Sequence, residues 1–236
     1  MKLAISGTYS SGKTLTVMAL SHYTGIPRTL AKTIREILPE AVPGKSLAQC
    51  TWAEFLQLMV RRHVERAVHE KLQPGSFISD GSSLQEWTFG KARTFYGTMN
   101  PAEVAELTPA AHHRTEDVQM RYFDEALDQF GHAFKQHVAA TFDAFVHLRH
   151  ELPLADDGHR PMNESFRSTC DQMLQTIPEE IGIPHYVVSG NLHERLNTIV
   201  DLFELPTVRD IDGAIALAEK EHAKLDMRFE TERVRA

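Results

Sequence analysis

Cysteine, basic charge and long apolar runs are all scarce in this sequence. Its 236 residues include only two cysteines, Cys50 and Cys170, with no C-x-x-C spacing, which argues against a disulfide framework and against a zinc site. No stretch approaches about 18 consecutive apolar residues, so no membrane-spanning segment is expected. The first residues lead directly into an apolar run that Gly7 interrupts, so no signal peptide is expected. We therefore predict a cytoplasmic protein with no membrane association.

The charge balance is acidic. Lys and Arg total 25, whereas Asp and Glu total 32, and the formal net charge at pH 7 is −7. Proteins that bind nucleic acids normally present a basic face, so a nucleic-acid partner is not expected. Length and composition favour one α/β domain over residues 1–208, followed by a charged helical tail over 209–236.

Residues 7–14 read Gly-Thr-Tyr-Ser-Ser-Gly-Lys-Thr, a full match to G-x-x-x-x-G-K-[ST]. The match follows the apolar run 3–5 and precedes a helical pattern over 15–20. The motif requires this context, because backbone N–H groups and a helix N-terminus must close around phosphate oxygens. The alternative, an accidental glycine-rich turn, is disfavoured by the same context. The sequence therefore predicts a nucleotide triphosphate site.

Each position of this loop has a physical role. Gly7 allows a turn out of the strand, and Gly12 allows the backbone to approach a phosphate closely. Lys13 is the cation expected at the β- and γ-phosphates, while the Thr14 hydroxyl is expected on Mg²⁺. The other predicted cofactor-binding positions are Tyr9, Ser10, Ser11 and Leu15. ATP and Mg²⁺ are the predicted cofactors.

Apolar runs alternate with helical patterns along the chain. Strands are predicted near residues 3–5, 28–31, 76–80, 142–148 and 185–188. Because helices separate these strands, the alternation predicts three layers, α/β/α, around a mostly parallel five-stranded sheet. Together with the phosphate-loop motif, this gives the predicted α/β fold of a P-loop NTPase.

Capping-box spacing indicates where several helices begin. It occurs at 51–54 and again from Ser83 to Glu86, each time before a helical pattern. Apolar residues recur at helical spacing after the first of these boxes and predict a long helix packed on the core. The residues predicted to face the core there include Phe55, Leu58, Val64, Val68 and Leu72.

Asp80 closes the predicted strand 76–80 and is followed by Gly81 and a helix. An acid at the end of a parallel strand lies at the carboxyl edge of the sheet, which places Asp80 beside the phosphate loop. Asp80 is therefore a candidate residue of the phosphate site. The alternative is a helix-capping aspartate with no catalytic role.

Two later segments follow in order: Asp-Gly-His-Arg-Pro with a downstream Phe-Arg, and Val-Val-Ser-Gly-Asn-Leu-His-Glu-Arg-Leu. Together with the phosphate loop and the Phe-Ile-Ser-Asp strand, they resemble the AAA-type P-loop ATPase/kinase domain of ribosylnicotinamide-kinase-like proteins, in the nucleoside and nucleotide kinase group. The resemblance implies a lid near 153–170, in which Arg160 and Arg167 close over the donor phosphates. It also implies that Asp80 is a metal-binding and catalytic residue, which either orients Mg²⁺ through water or accepts the proton of the acceptor hydroxyl. For the two arginines, the alternatives are a solvated turn and an exposed helix face.

Four further residues are candidates for the substrate side. Arg35 and Glu36 follow the predicted second strand, where the resembling group places acceptor-binding residues. Arg35 is a candidate for holding an acceptor anion and Glu36 for the base, with surface solvation as the alternative. Trp52 and Trp87 are candidates for stacking on a flat substrate, with buried aromatic packing as the alternative.

Two functions fit these features. The first is an ATP-dependent kinase acting on a small-molecule acceptor of the nucleoside or nucleotide type. The second is a regulatory P-loop ATPase or GTPase switch acting on a protein partner, although the chain has no Asn-Lys-x-Asp motif. Phosphorylation of a nucleic-acid end is a third, which the acidic net charge disfavours. The thin apolar stripe of the 210–233 helix suits packing on the domain, a homodimer contact or partner docking.

Overall fold

The computed structural model describes residues 1–101, 117–153 and 163–225. The strands in these ranges are β1 (Lys2–Ser6), β2 (Phe77–Asp80), β3 (Ala144–Leu148) and β4 (His185–Val188). They form one sheet in the order β2-β1-β3-β4, with every neighbouring pair parallel. The parallel sheet is therefore confirmed, but it has four strands and not five.

The segment at 28–31, predicted as a strand, joins the sheet through a single parallel bridge between Arg28 and Ile78. The Thr29 N–H donates to the Ile78 carbonyl, and the Ile78 N–H donates to the Pro27 carbonyl. Pro27 has no N–H with which to extend the ladder. Leu30 is 64% exposed, so burial does not hold the segment against the sheet. For these reasons the prediction of a fifth strand is wrong.

Eight α-helices cover the strands within the described ranges. They are α1 (Lys13–Thr24), α2 (Ile34–Ala41), α3 (Trp52–Lys71), α4 (Ser83–Tyr96), α5 (Val118–Thr141), α6 (Glu164–Glu180), α7 (Leu192–Phe203) and α8 (Ile211–His222). Thr51 caps α3 through reciprocal hydrogen bonds with Glu54, so the capping box at 51–54 is confirmed. None of these eight helices has both the length and the apolar character that crossing a membrane requires.

Separate sets of helices cover the two faces of the sheet. Leu3 and Ile5 of β1 pack with α1, α7 and α8 on one face. Ala4 of β1 and Phe145 of β3 pack with helices α2 to α6 on the other face. Successive residues of a strand point to opposite faces, so one short strand serves both layers. The three-layer P-loop fold predicted from the sequence is confirmed.

The predicted tail is described as far as residue 225. Its helix α8 packs on α1, where Ala214 and Ala218 are fully buried. Glu221 accepts a hydrogen bond from Arg28, and its other oxygen lies 3.0 Å from Nε2 of His22. The described part of the tail therefore contacts the helix that begins at the phosphate loop.

Helices α4 and α5 approach each other closely where Trp87 meets Gly131. The indole N–H of Trp87 donates to the Leu127 carbonyl at 2.8 Å. A Cβ atom at Gly131 would lie 2.5 Å from Nε1 of Trp87. Any side chain at residue 131 would therefore displace the indole ring and break its hydrogen bond.

This contact predicts the effect of Gly131→Val. Overpacking and the loss of a buried hydrogen bond should lower the free energy of unfolding by about 2–4 kcal/mol. The matched control is His132→Val, because His132 is exposed on the same helix and should change stability by about 0.5 kcal/mol or less. Urea denaturation measures both, and equal effects would show that the close approach of Trp87 is unimportant.

Candidate active site

The phosphate loop connects the end of β1 to the start of α1. The backbone φ angles are 139° at Gly7, 59° at Ser10 and 83° at Gly12. Side chains disfavour this region. A Cβ atom at Gly7 would lie 2.8 Å from Oγ of Ser11 and 2.9 Å from the Leu148 carbonyl. The first position of the motif therefore needs glycine for both its backbone angle and its close contacts.

Lys13 folds back over the loop. Its Nζ donates to the Thr8 carbonyl at 2.5 Å and lies 3.5 Å from Oγ of Ser11. Helix α1 begins after Gly12 with no side-chain cap on its first N–H groups. Uncapped N–H groups at a helix N-terminus, next to a lysine, favour an anion. The loop therefore fits the polyphosphate of a nucleotide.

Thr14 and Asp80, the two residues predicted to bind metal, lie together. Pairing of β1 with β2 aligns Ile5 with Asp80, so the carboxylate reaches the first turn of α1. Thr14 Oγ1 donates to Oδ2 of Asp80 at 2.7 Å. Hydroxyl and carboxylate oxygens are ligands that Mg²⁺ prefers. The side chains present at this edge of the sheet therefore fit the predicted metal.

Arg167 reaches the phosphate loop from α6. The residue is 2% exposed, with Nε 3.5 Å from Oγ1 of Thr8. Its Nη2 donates to the Leu152 carbonyl at 2.9 Å. Arg167 therefore does not lie on an exposed helix face, which is the alternative to its lid role. Arg160, the other predicted lid arginine, lies outside the described residues.

Tyr9 and Leu15 pack against the hydrophobic clusters beside the loop. The ring centroids of Tyr9 and Phe89 are 6.0 Å apart. Burial raises the pKa of Tyr9, and the nearby Cys170 adds to the rise. Leu15 packs partly buried against the cluster that contains Leu3. Tyr9 is therefore neutral near pH 7 and contributes packing to this side of the loop.

The two tryptophans predicted on the substrate side belong to the core. Trp52 is 7% exposed and donates from Nε1 to Asp117 at 3.2 Å. Its ring centroid lies 5.0 Å from that of Phe123. Trp87 is 9% exposed, and its N–H is bonded to Leu127. The structure thus shows buried packing for both, which is the alternative considered for them.

Arg35 and Glu36 lie in the first turn of α2. Glu36 accepts hydrogen bonds from the N–H and the Oγ1 of Thr33, at 2.7 and 2.9 Å. Its carboxylate is therefore used to cap α2. Arg35 is partly exposed at the same helix end.

The buried face of α3 differs from the sequence prediction. Three residues predicted to face the core are exposed: Val64 (52%), Val68 (51%) and Leu72 (69%). Arg62, Arg66 and Glu70 are buried in their place, at intervals of four residues, which puts them on one side of the helix. The prediction for Val64, Val68 and Leu72 is wrong because ion pairs, and not apolar contacts, hold this part of α3.

Glu86 is the carboxylate partner of the buried arginines. Arg66 donates to it from Nε and Nη2, at 3.2 and 3.1 Å, and Nε of Arg62 lies 3.4 Å away. The capping box predicted from Ser83 to Glu86 is therefore wrong. The cap of α4 is Ser82, and Glu86 points to α3 instead of to the helix end.

This ion-pair cluster contacts the backbone of the site. Nη1 of Arg66 donates to the Asp80 carbonyl at 2.8 Å, and Nη1 of Arg62 donates to the Lys32 carbonyl. Burial lowers the pKa of Arg62 to about 10, and the nearby Arg66 adds to the shift. Burial also favours the neutral form of Glu86, but the two guanidinium groups hold its pKa below the usual value. Arg62 and Glu86 are therefore both charged near pH 7.

Arg195 also contacts the phosphate loop, and sequence reasoning assigned it no role. It lies in α7 and is 4% exposed. Its Nη1 donates to the Ser11 carbonyl at 2.7 Å. Arg195 belongs to the segment Val-Val-Ser-Gly-Asn-Leu-His-Glu-Arg-Leu that carries part of the resemblance, but an arginine within a helix gives no local signal of such a contact.

The phosphate loop after the central strand, the Thr14–Asp80 pair and the parallel sheet define a P-loop nucleotide-binding protein with a kinase fold. A family model described as an AAA domain matches residues 2–195, and the chain belongs to that family. A comparison with curated proteins found no match.

Several solved structures are similar to this chain. Deoxyadenosine kinase from M. mycoides with bound dATP has a TM-score of 0.58 at 14% identity, covering 86% of this chain and 100% of that chain. The same kinase with the products dCMP and a flexible dCDP has a TM-score of 0.55 at 15% identity, covering 86% and 98%. The NadR protein in complex with NR has a TM-score of 0.48 at 16% identity, covering 88% and 51%. The family match and the deoxyadenosine kinase structures confirm the predicted P-loop kinase fold.

The cluster on α3 predicts a large effect of Glu86→Gln. Removing the carboxylate takes the ion-pair partner away from two buried guanidinium groups, which should lower the free energy of unfolding by about 3–5 kcal/mol. The control is Glu65→Gln on the same helix, where a half-buried glutamate lies 3.8 Å from His69 and contributes about 0.5 kcal/mol or less. Chemical denaturation at pH 7 measures both variants. A similar, small loss in the two would contradict the assignment of Glu86 as the essential partner.

Proposed function

We propose that the protein is an ATP-dependent small-molecule kinase that transfers the γ-phosphoryl group of Mg-ATP to a nucleoside- or nucleotide-like acceptor. The main support is the contact between Thr14 and Asp80 at the end of a complete phosphate loop. The AAA-domain match over residues 2–195 and the fold similarity to deoxyadenosine kinase support the same class of reaction. Cys50 and Cys170 are both free, which fits the proposed cytoplasmic location.

The donor phosphates are proposed to lie in the phosphate loop. Backbone N–H groups of the loop and of α1 bind the phosphate oxygens. The Lys13 ammonium leaves the Thr8 carbonyl and binds the β- and γ-phosphates instead. Arg167 then stabilises the charge that spreads over the transferred group. Arg160 is proposed to join Arg167 when the lid closes, which also excludes water from the reaction.

Thr14 and Asp80 are the residues that would hold Mg²⁺. When bound, the metal ion neutralises phosphate charge and orients the donor for in-line transfer. One carboxylate oxygen of Asp80 already accepts the Thr14 hydroxyl. This contact favours the metal-binding role of Asp80 over its alternative role as the acceptor of a substrate proton.

Of the four residues predicted on the substrate side, Arg35 is the one proposed to contact the acceptor. Glu36 caps α2, and both tryptophans are buried, so none of the three supports a substrate contact. Arg35 remains a candidate for an anionic group of the acceptor. Because phosphoryl transfer depends mainly on positioning and electrostatics, the residues around this side determine the substrate more than the loop does.

The alternative function, a nucleotide switch, requires a surface for a protein partner. The predicted helix 210–233 is its candidate docking element, and the described part of that helix, α8, packs on α1 with Ala214 and Ala218 buried. The buried half of the apolar stripe therefore supports packing on the domain and not docking of a partner. An ATP hydrolysis rate that is unchanged by every small acceptor but changed by a protein would favour the switch over the kinase.

The kinase proposal predicts phosphorylation of a small acceptor, detected by mass spectrometry after incubation with Mg-ATP and a panel of nucleosides, nucleotides and sugars. One or more compounds should gain the mass of one phosphate. Lys13→Ala should abolish this gain and remove the thermal stabilisation by Mg-ATP, which corresponds to about 2.7 kcal/mol at 100 times Kd. Wild-type levels of product in Lys13→Ala would remove the loop from the mechanism.

The lid proposal predicts that Arg160→Ala lowers kcat far more than it weakens ATP binding. A lid arginine acts on charge that develops in the transition state, so its loss should lower kcat by about 10³-fold or more. The control is Arg209→Ala, which removes the same charge from an exposed position. Steady-state kinetics with calorimetric ATP binding tests this, and equal losses in kcat and in affinity would contradict a transition-state role.

A further inference from the structure

Arg195 is buried against the phosphate loop, although it lies 184 residues further along the chain than the Ser11 carbonyl it binds. The trans peptide bond between Ser11 and Gly12 is planar, so its C=O and N–H point in opposite directions. A partner that holds the Ser11 carbonyl on one side therefore fixes the direction of the Gly12 N–H on the other side. We propose that Arg195 is a positioning residue of the phosphate loop, which orients the Ser11–Gly12 peptide so that the loop binds the polyphosphate of a nucleotide.

The contact is close on both sides of this peptide. A Cβ atom at Gly12 would lie 3.2 Å from Nη1 of Arg195, so the guanidinium packs directly against the glycine. Gly12 thus leaves room for Arg195 as well as for a phosphate. Because the guanidinium is planar and rigid, it can hold a carbonyl in a defined direction.

Arg195 is itself anchored to two other loops at the carboxyl edge of the sheet. Its Nη2 lies 3.5 Å from Oε2 of Glu151 and 3.5 Å from the Arg149 carbonyl, both after β3. Glu151 also accepts the N–H of Gly190, after β4, at 2.8 Å. The loops after β1, β3 and β4 are thereby connected through one buried cation. A change in the phosphate loop would have to break a charged hydrogen bond that water cannot readily replace.

The loop needs such support because its backbone is strained at Ser10. Ser10 is a non-glycine residue with a φ of 59°, a region that side chains disfavour. Strained backbone persists only where the surrounding structure holds it. Without Arg195, the loop would populate other conformations. The apparent affinity for phosphates would then fall in proportion to the fraction of molecules whose loop is still able to bind them.

This inference rests on the phosphate loop of the proposed function but not on phosphoryl transfer. Isothermal titration calorimetry with Mg-ATP, inorganic tripolyphosphate and adenosine is the test. Arg195→Met should lower the affinity for Mg-ATP and for tripolyphosphate by about 10- to 100-fold, since one charged hydrogen bond is lost. Adenosine binding should change by less than about twofold, because adenosine has no phosphate for the loop to hold.

Arg195→Lys separates positioning from charge. The lysine keeps the positive charge, but its side chain is one bond shorter and its ammonium would lie near the position of the guanidinium carbon. We expect it to lose about 3- to 10-fold in tripolyphosphate affinity. Arg209→Met, which removes an exposed charge, should leave the affinity unchanged.

Wild-type affinity in a folded Arg195→Lys would show that charge alone matters and would overturn the inference, even if Arg195→Met did not fold. Equal losses for adenosine and tripolyphosphate would indicate general damage and would also overturn it. If no acceptor is phosphorylated in the screen, the kinase proposal is wrong, but the role inferred for Arg195 in phosphate binding is unaffected. A wild-type protein that binds neither ATP nor tripolyphosphate would overturn both.

Discussion

The parallel pairing of β1 with β2 sets the distance on which the rest of the site depends. In this register Ile5 lies opposite Asp80, and β1 continues into the loop that precedes Thr14. A shift of one residue would turn the Asp80 side chain to the other face of the sheet, away from the Thr14 hydroxyl. The same shift would move Ile78 of β2 out of the layer formed by α1, α7 and α8, and Phe77 out of the opposite layer. The core therefore fixes the register, and the register fixes the spacing of the proposed metal ligands.

Buried arginines hold the backbone on two sides of this edge. Arg195 binds the carbonyl of Ser11, and Arg66 binds the carbonyl of Asp80. Each has a carboxylate partner, because a buried charge without one is very costly. Apolar residues of similar size often give equal or greater stability at such positions, but they cannot donate a hydrogen bond to a carbonyl. The ion pairs therefore matter here for the direction of the backbone more than for the stability of the fold.

The features predicted correctly from the sequence have local signals. The phosphate loop, the four strands and the capping box at 51–54 each depend on residues within a few positions of one another. The burial of Arg66 had no such signal, because its partner Glu86 is 20 residues away and arginines on helices normally face solvent. The prediction of a fifth strand is wrong because Pro27 has no N–H to extend the ladder on one side of the bridge and because Leu30 is exposed on the other. Local chemistry thus predicts the loop proposed to bind phosphates, whereas the support behind the loop depends on contacts across the fold.

The cluster around Glu86 also links the two halves of the proposed reaction. Arg62 holds the Lys32 carbonyl in the segment before α2, Arg66 holds the Asp80 carbonyl, and both share Glu86. The proposed binding of an acceptor near Arg35 could move the segment before α2. Such a movement would change the distances from the Glu86 carboxylate to Arg62 and to Arg66. That change would reach Asp80 through Arg66. Because phosphoryl transfer depends on the positions of a few charged groups, a buried carboxylate shared in this way could adjust the proposed metal side of the site to the proposed acceptor side without contact between the two.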